Sequence, residues 1–105
     1  MFSEINLLVI KVNELVSSVK YYEKLGFKFI QECHGNGPVH YSAQCVGFVI
    51  ELYIGKPAGG VVGGLRVDNL VSFKKKCETN MIIFKPIGND ILIEDPDHNK
   101  LIISK

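Results

Sequence analysis

The sequence predicts an α+β fold made of two tandem βαβββ modules, and an internal repeat is the first reason for this prediction. The segment 10–15 closely resembles the segment 65–70, so that Val12 corresponds to Val67 at an offset of 55 residues. In both copies a short apolar run rich in β-branched residues precedes a stretch with apolar residues at helical spacing. Because 105 residues suffice for one hydrophobic core, we expect residues 1–105 to form a single domain.

The first module, residues 1–54, begins with a predicted strand over 5–12, since this apolar run is too short for a helix. Asn13 can cap the helix that follows, and Gly26 can end it. The apolar face of this helix consists of Leu15, Val19 and Tyr22. Three further strands are predicted over residues 27–33, 40–46 and 48–54.

The second module, residues 61–105, repeats this order. A strand over 61–67 precedes a helix that we expect Asp68 to cap and Asn80 to end. Its apolar face consists of Leu70, Phe73 and Cys77, and shorter strands are predicted over residues 82–85, 90–94 and 100–104. The connecting segment 55–64 holds five glycines and a proline, so we expect it to act as a flexible linker.

The composition excludes several classes of function. Hydrophobic residues make up 47% and charged residues 22% of the chain, as in ordinary globular proteins, and the formal net charge of +1 creates no strong field for nucleic acid. No apolar run approaches the roughly 18 residues of a membrane span, and the N-terminus lacks the basic segment of a signal peptide. The three cysteines contain no C-x-x-C pair, so we expect reduced thiols and a cytoplasmic protein.

Two motifs within this duplicated order resemble one known family. Residues 21–27 read YYEKLGF, and residues 94–99 read EDPDHN. In this arrangement they resemble the glyoxalase, bleomycin-resistance and extradiol-dioxygenase family, the vicinal-oxygen-chelate superfamily, over nearly the whole chain. The resemblance implies two curved mixed sheets that face each other across a cleft, with the helices outside, often completed by a second chain. The family spans isomerases, lyases, oxygenases and drug-sequestering proteins, so the fold does not fix the activity.

The resemblance also implies four positions for metal ligands, in the first and last strand of each module. A divalent ion there needs oxygen or imidazole donors. Glu51 offers a carboxylate, whereas the other three positions carry hydrocarbon side chains, namely Leu7, Val62 and Ile102. A shift of one residue supplies no better set, because the alternatives are apolar apart from Asn6, a weak ligand. We therefore expect no metal at these positions and no cofactor.

Glu51 is the only candidate for a catalytic group. The alternation of apolar and polar residues over 48–54 assigns Glu51 and Tyr53 to the cleft side of the strand and the apolar set to the helix side. Glu51 can pair with a cationic ligand group or act as a general base whose pKa is raised by apolar surroundings. Alternatively, it is a relic that faces water or pairs with a nearby lysine or arginine.

Further residues are assigned to the cleft by the resemblance. Lys11 and Arg66 occupy equivalent positions, where some glyoxalases hold a substrate carboxylate with a basic residue, although both side chains can also extend into solvent. On the middle strand of the first module, alternate residues resemble the family's pocket wall. The predicted ligand-binding cleft is thus lined by Leu7, Lys11, Tyr41, Ala43, Cys45, Glu51, Tyr53, Val62, Arg66 and Ile102. His34 and His40 flank a Gly-rich turn, and we expect them to be solvated.

Three functional hypotheses remain. The first is a metal-independent protein, acting as a homodimer, that binds a small, partly aromatic or cationic molecule and whose nearest functional relatives sequester drugs. The second is a lyase, isomerase or dioxygenase of the same family, with displaced ligands such as Glu51 together with His40 or His34. The third is a subunit whose cleft serves a protein partner. The sequence identifies neither the ligand nor whether the modules pair within one chain or between two.

Overall fold

The computed structural model describes residues 1–105, and the chain divides into two compact units, residues 1–56 and 57–105. Their boundary lies inside the predicted linker 55–64. No helix in either unit combines the length and the apolar character that crossing a membrane requires.

The first unit has the predicted βαβββ order. Its elements are β1 (Leu7–Val12), α1 (Leu15–Lys24), β2 (Ile30–Glu32), β3 (His40–Cys45) and β4 (Phe48–Ile54). The four strands form one sheet in the order β1-β4-β3-β2. Strand β1 runs parallel to β4, whereas the other neighbours are antiparallel, so the sheet is mixed.

The second unit repeats this topology. Its elements are β5 (Val61–Arg66), α2 (Leu70–Thr79), β6 (Phe84–Ile87), β7 (Asp90–Glu94) and β8 (Lys100–Ser104), with the sheet order β5-β8-β7-β6. The register repeats as well: Val9 pairs with Glu51 in the first sheet, and Gly64, at the offset of 55 residues, pairs with Ile102 in the second. The predicted α+β fold of two βαβββ modules is therefore confirmed.

Each unit buries one face of its sheet. In the first unit α1 packs against β3 and β4, and the buried apolar side chains include Ile10, Val12, Tyr22, Ala43, Ile50 and Leu52. In the second unit they include Cys77, Ile82, Ile91, Ile93, Leu101 and Ile103. Within the strands, these residues alternate with less buried ones, as expected for a sheet that is covered on one side.

The N-terminal boundary of each helix differs from the prediction by one residue. The N-cap positions are Glu14 and Asn69, not Asn13 and Asp68. Asn69 performs the capping itself, since its side-chain oxygen accepts a hydrogen bond of 3.0 Å from the backbone N–H of Ser72. Gly26 follows α1 in the left-handed conformation, as predicted. Asn80 is the C-cap of α2, as predicted, although the left-handed conformation occurs at Met81, the next residue.

Two strands are displaced from their predicted bounds. Strand β2 covers only Ile30–Glu32 instead of 27–33, because the preceding aromatic side chains pack on the helix: the rings of Phe27 and Phe29 lie 6.3 and 6.5 Å from the ring of Tyr22. Strand β6 covers Phe84–Ile87 instead of 82–85, because Ile82 closes α2 through a backbone bond to the carbonyl of Cys77.

Candidate functional site

One face of the first sheet is left uncovered by α1, and we call it the open face. Paired residues of neighbouring strands project to the same side of a sheet. Glu51 pairs with Val9 on β1 and with Ser42 on β3, while Tyr53 pairs with Lys11. Glu51 and Tyr53 thus share the open face, opposite the buried Ile50 and Leu52 that alternate with them. Lys11 lies beside them, with its Nζ 5.0 Å from the centre of the Tyr53 ring.

The residues predicted to form a pocket wall on β3 do not lie on the open face; their neighbours along the strand do. Tyr41, Ala43 and Cys45 pair with Leu52, Ile50 and Phe48, respectively, and so belong to the helix side of the sheet. Ala43 is accordingly only 1% exposed. The β3 residues on the open face are His40, Ser42 and Gln44. Alternation along β3 identifies the two sets but does not say which set faces the helix, and the register with β4 decides this.

His40 lies at the centre of a polar cluster on this face, contrary to the expectation that it is solvated. Its side chain is 1% exposed, and its Nε2 lies 3.3 Å from Oε1 of Glu32 and 3.5 Å from Oε2 of Glu51. His34, in the loop after β2, is largely exposed, and its Nε2 lies 3.9 Å from the same Oε1 of Glu32. We call Glu32, His34, His40 and Glu51 the β2–β3 cluster.

Both nitrogens of His40 face acceptor atoms. Nδ1 lies 3.3 Å from the carbonyl oxygen of Pro38, and because a carbonyl only accepts, Nδ1 must carry the donated hydrogen. In a neutral imidazole Nε2 then carries a lone pair. It is buried and makes no hydrogen bond, although Glu32 and Glu51 are near, because their carboxylates lie out of line for one. Nε2 of His40 therefore lies close to an oxygen of each of two carboxylates, an arrangement that favours a metal ion beside it.

The ring of Tyr53 packs against one side of the β2–β3 cluster. It stacks on His40 with ring centroids 4.4 Å apart and planes inclined by 13°. Partial burial and the negative charges of Glu51 and Glu32 raise the pKa of Tyr53. The hydroxyl therefore remains a neutral hydrogen-bond donor at physiological pH and does not act as a phenolate ligand.

Sequence reasoning missed Glu32 altogether. Glu32 and His40 are direct partners across the β2–β3 hairpin, whose loop includes residues 35–38 with the sequence GNGP. Recognition of a hairpin around this turn would have paired the two residues and revealed the cluster. The ligand atoms of Glu32, His34 and His40 all lie within 4.8 Å of one another, so these residues can converge on one ion.

The remaining residues predicted to line the cleft lie on β1 of the first sheet and on β5 and β8 of the second. Leu7 pairs with Val49 on the open face of the first sheet and is 46% exposed. In the second sheet Arg66 pairs with Ser104, Gly64 pairs with Ile102, and Val62 lies at an irregularity in the register between β5 and β8. Leu7, Val62 and Ile102 possess no donor atom, so the family's metal-ligand positions do not fit a divalent ion.

A separate concavity lies on the second unit. It has a volume of about 430 Å³ and is lined by Ile83, Phe84, Lys85, Leu92, Glu94, Asp95, Pro96 and His98. At its rim, Nδ1 of His98 lies 2.6 Å from Oε2 of Glu94. The concavity therefore contains a histidine–glutamate pair without a second imidazole beside it. None of the residues predicted to line the cleft belongs to it.

Comparison with solved structures identifies the fold. No protein-family model and no curated protein matches this sequence. TnmS3, an antibiotic-binding protein from Streptomyces sp. CB03234, superposes with a TM-score of 0.80 at 17% identity, covering 97% of this chain and 94% of its own. A glyoxalase/bleomycin resistance protein from the same organism gives 0.80 at 16% identity, covering 97% and 100%. A bleomycin resistance determinant encoded on the transposon Tn5 gives 0.71 at 18% identity, covering 96% of each chain.

The chain therefore has the vicinal-oxygen-chelate fold. This confirms, at the level of the fold, the resemblance inferred from the motifs at 21–27 and 94–99. Within this fold class, it shares its architecture over nearly its whole length with an antibiotic-binding protein and with a bleomycin resistance determinant.

Proposed function

We propose that this protein binds a small organic molecule that carries an aromatic group and a positive charge, and that it does so without a metal at the family's ligand positions. The observation that carries this proposal is the placement of Glu51 on the open face of the first sheet, beside the ring of Tyr53. The side chain of Glu51 is only 17% exposed, so its negative charge is weakly screened and attracts a cationic group more strongly than a surface carboxylate would.

The surroundings of Glu51 suit such a ligand. Tyr53 offers an aromatic ring for stacking, and Leu7 and Val9, 46% and 40% exposed, offer hydrocarbon surface on the same face. Binding sites of this kind combine apolar walls with a few oriented polar groups. The proposal is also supported by the fold, since TnmS3 is an antibiotic-binding protein and another protein of the fold is a bleomycin resistance determinant. Sequestration of a drug is the form of binding that we propose.

Calorimetric titration tests this proposal directly. Protein freed of metal by a chelator is titrated with bleomycin and with a panel of aromatic cationic antibiotics. We expect at least one ligand to bind, and Glu51→Gln to weaken it about tenfold, which corresponds to about 1.4 kcal/mol. Glu94→Gln, which removes a carboxylate from the second unit, is the matched control and should leave the affinity unchanged. Absence of binding at millimolar ligand, or equal affinity of the Glu51→Gln variant, would refute the proposal.

An enzyme is the second candidate function, a lyase, isomerase or dioxygenase that uses displaced ligands. The buried His40 between two carboxylates favours it, because such a group can bind a Lewis-acidic ion or transfer a proton. Oxygen uptake and enediolate-forming isomerisation are the reactions to assay, with and without added Mn²⁺, Fe²⁺, Ni²⁺ and Zn²⁺. Turnover that His40→Gln abolishes would establish this alternative in place of simple binding.

We also propose that the protein acts as a homodimer. The exposed hydrophobic side chains of Phe2 and Ile5, in the segment before β1, favour association, because exposed apolar surface is commonly covered by a partner. Sedimentation equilibrium measures the mass directly, and a mass of one chain at micromolar concentration would contradict this part of the proposal.

The proposed compartment is the cytoplasm. Cys33, Cys45 and Cys77 are free thiols, which fits a reducing environment. Burial raises the pKa of Cys45 and of Cys77, so both remain protonated and poorly reactive. Fractionation of the producing cells, followed by detection of the protein, tests this assignment.

A further inference from the structure

We infer that the β2–β3 cluster is a binding site for a divalent transition-metal ion of the Zn²⁺ type, displaced from the positions that the fold family uses. The inference is independent of the proposed ligand binding, which we expect to persist in metal-free protein. It rests on Glu32, His34 and His40, whose ligand atoms all lie within 4.8 Å of one another, and Glu51 adds a carboxylate oxygen 3.5 Å from Nε2 of His40.

The first argument is the spacing of the donor atoms. Two ligands of one tetrahedral zinc ion lie roughly 3.3–3.5 Å apart, since each bond to the ion measures about 2.0–2.1 Å. Nε2 of His40 lies 3.3 Å from the carboxylate oxygen of Glu32 and 3.5 Å from that of Glu51. These distances match the separation of two ligands on a common ion, while the misaligned carboxylates leave Nε2 without a hydrogen bond.

The second argument is the state of the buried nitrogen. Polar atoms inside proteins normally have partners, and a buried nitrogen without one costs about 1–3 kcal/mol. Nε2 of His40 is such an atom, and it is directed at two carboxylates. The contact of Nδ1 with the carbonyl of Pro38 leaves Nε2 as the free donor of an electron pair, the form in which a histidine binds a metal.

The third argument is the support around His40. The ring is held between the carbonyl of Pro38 and the stacked ring of Tyr53, so its direction is fixed before an ion binds. His34 supplies a second imidazole from the loop after β2. Its side chain is 73% exposed, and its ring centroid lies 5.1 Å from that of His40. A fixed ligand together with an adjustable one allows an ion to enter from solvent.

The donor set determines the class of ion. Two imidazoles and one or two carboxylates suit Zn²⁺ and its neighbours Co²⁺, Ni²⁺ and Cu²⁺, whereas Mg²⁺ and Ca²⁺ prefer oxygen ligands alone. Glu32 and Glu51 also neutralise the charge of a divalent ion. The site therefore shares only Glu51 with the four family positions, and the other three of those positions carry hydrocarbon side chains.

Titration of metal-free protein with ZnCl₂ and with CoCl₂ tests the inference. We expect one equivalent of Zn²⁺ to bind and to raise the melting temperature, because an ion that binds only the folded state stabilises it. Co²⁺ should develop the visible absorption of a tetrahedral complex. His34→Ala should weaken Zn²⁺ binding at least tenfold, as should Glu32→Gln. His34 is exposed, so its replacement leaves the core intact, and circular dichroism verifies folding of every variant.

His98→Ala is the matched control. It removes the histidine of a histidine–glutamate pair at the shorter distance of 2.6 Å in the second unit, which contains no other histidine. We expect it to leave Zn²⁺ affinity unchanged. Failure of Zn²⁺ to bind, or equal affinity of the His34→Ala and His98→Ala variants, would overturn the inference. Neither result would alter the calorimetry of the proposed ligand, which is carried out on metal-free protein.

Discussion

The imidazole of His40 lies flat on the phenol ring of Tyr53, with centroids 4.4 Å apart and planes inclined by 13°. This stack, together with the contact of Nδ1 with the carbonyl of Pro38, fixes where Nε2 points. The two carboxylates nearby contribute charge rather than a hydrogen bond. Packing of two rings thus orients Nε2 of His40, the atom that we infer to bind the ion.

Substitution of Tyr53 tests the importance of this stack. Tyr53→Ala should lower the free energy of unfolding by about 1–2 kcal/mol, because an aromatic pair contributes about 0.5–1.5 kcal/mol beyond the area it buries. Tyr53→Phe retains the ring and should stay within about 0.5 kcal/mol of the wild type. Urea denaturation monitored by circular dichroism measures both. Equal destabilisation by the two substitutions would show that the hydroxyl, not the ring, supports the site.

The turn between β7 and β8 should be far more sensitive. Asp95 is 4% exposed. Its Oδ1 accepts hydrogen bonds of 2.8 and 2.9 Å from the backbone N–H groups of Asp97 and Asn99. Its Oδ2 accepts a hydrogen bond of 3.0 Å from the side-chain amide of Asn99. Asp95→Ala leaves these donors unsatisfied and should cost about 2–4 kcal/mol. Asp68→Ala, at an exposed position, serves as the control in the same urea titration. A loss below that of the control would contradict this assignment.

The pair of Glu94 and His98 predicts a pH dependence of stability. The hydrogen bond with His98 lowers the pKa of Glu94 from its ordinary value of 4.5, and the charge of Lys100 lowers it further, against the opposing effect of partial burial. A carboxyl whose pKa is lower in the folded chain stabilises the fold above its unfolded-state pKa. This contribution is lost as the pH falls through the folded-state pKa.

Glu94→Gln isolates this contribution. The difference in free energy of unfolding between the wild type and this variant should be present above the ordinary pKa of 4.5 and should shrink as the pH is lowered below that value. Urea denaturation at a series of pH values measures it, with Glu4→Gln, in the exposed N-terminal segment, as the control. A difference that grows on acidification would contradict the expected sign of the effect.

The core of the first unit offers a test of the helix-covered face. Leu52 is completely buried, whereas Val16 on α1 is 57% exposed. Leu52→Ala should lower the free energy of unfolding by about 2–5 kcal/mol, since it removes buried methyl groups and leaves a cavity. Val16→Ala should change it by less than about 0.5 kcal/mol. Comparable losses of unfolding free energy for the two variants would show that the helix-covered face of β4 had been assigned incorrectly.

The elements could be predicted from the sequence because local patterns determine them. The bounds of β4, β7 and β8 agree with the prediction residue for residue, since alternation and turn residues define strands. The cap positions were wrong because Asn13 and Glu14, like Asp68 and Asn69, are adjacent polar residues, and composition alone does not decide which one precedes the first helical turn. At the start of α2 it is Asn69 that makes the hydrogen bond.

The site was less predictable, because it depends on pairing between strands. The face of β3 follows from its register with β4, in which Ser42 rather than Ala43 lies opposite Glu51. A shift of one residue exchanges the two faces of a strand, and this explains why Tyr41, Ala43 and Cys45 were assigned to the wrong side. The contact of Glu32 with His40 likewise requires the hairpin to be closed before the two residues become neighbours.

The equal registers of the two sheets have a consequence for the evolution of the chain. Ser42 lies opposite Glu51 in the first unit, and Leu92 lies opposite Ile102 at the matching point of the second. The first half thus carries two polar side chains at this pair of positions, whereas the second carries two hydrocarbon side chains. Selection for new ligands can therefore act on one half while its twin preserves the scaffold.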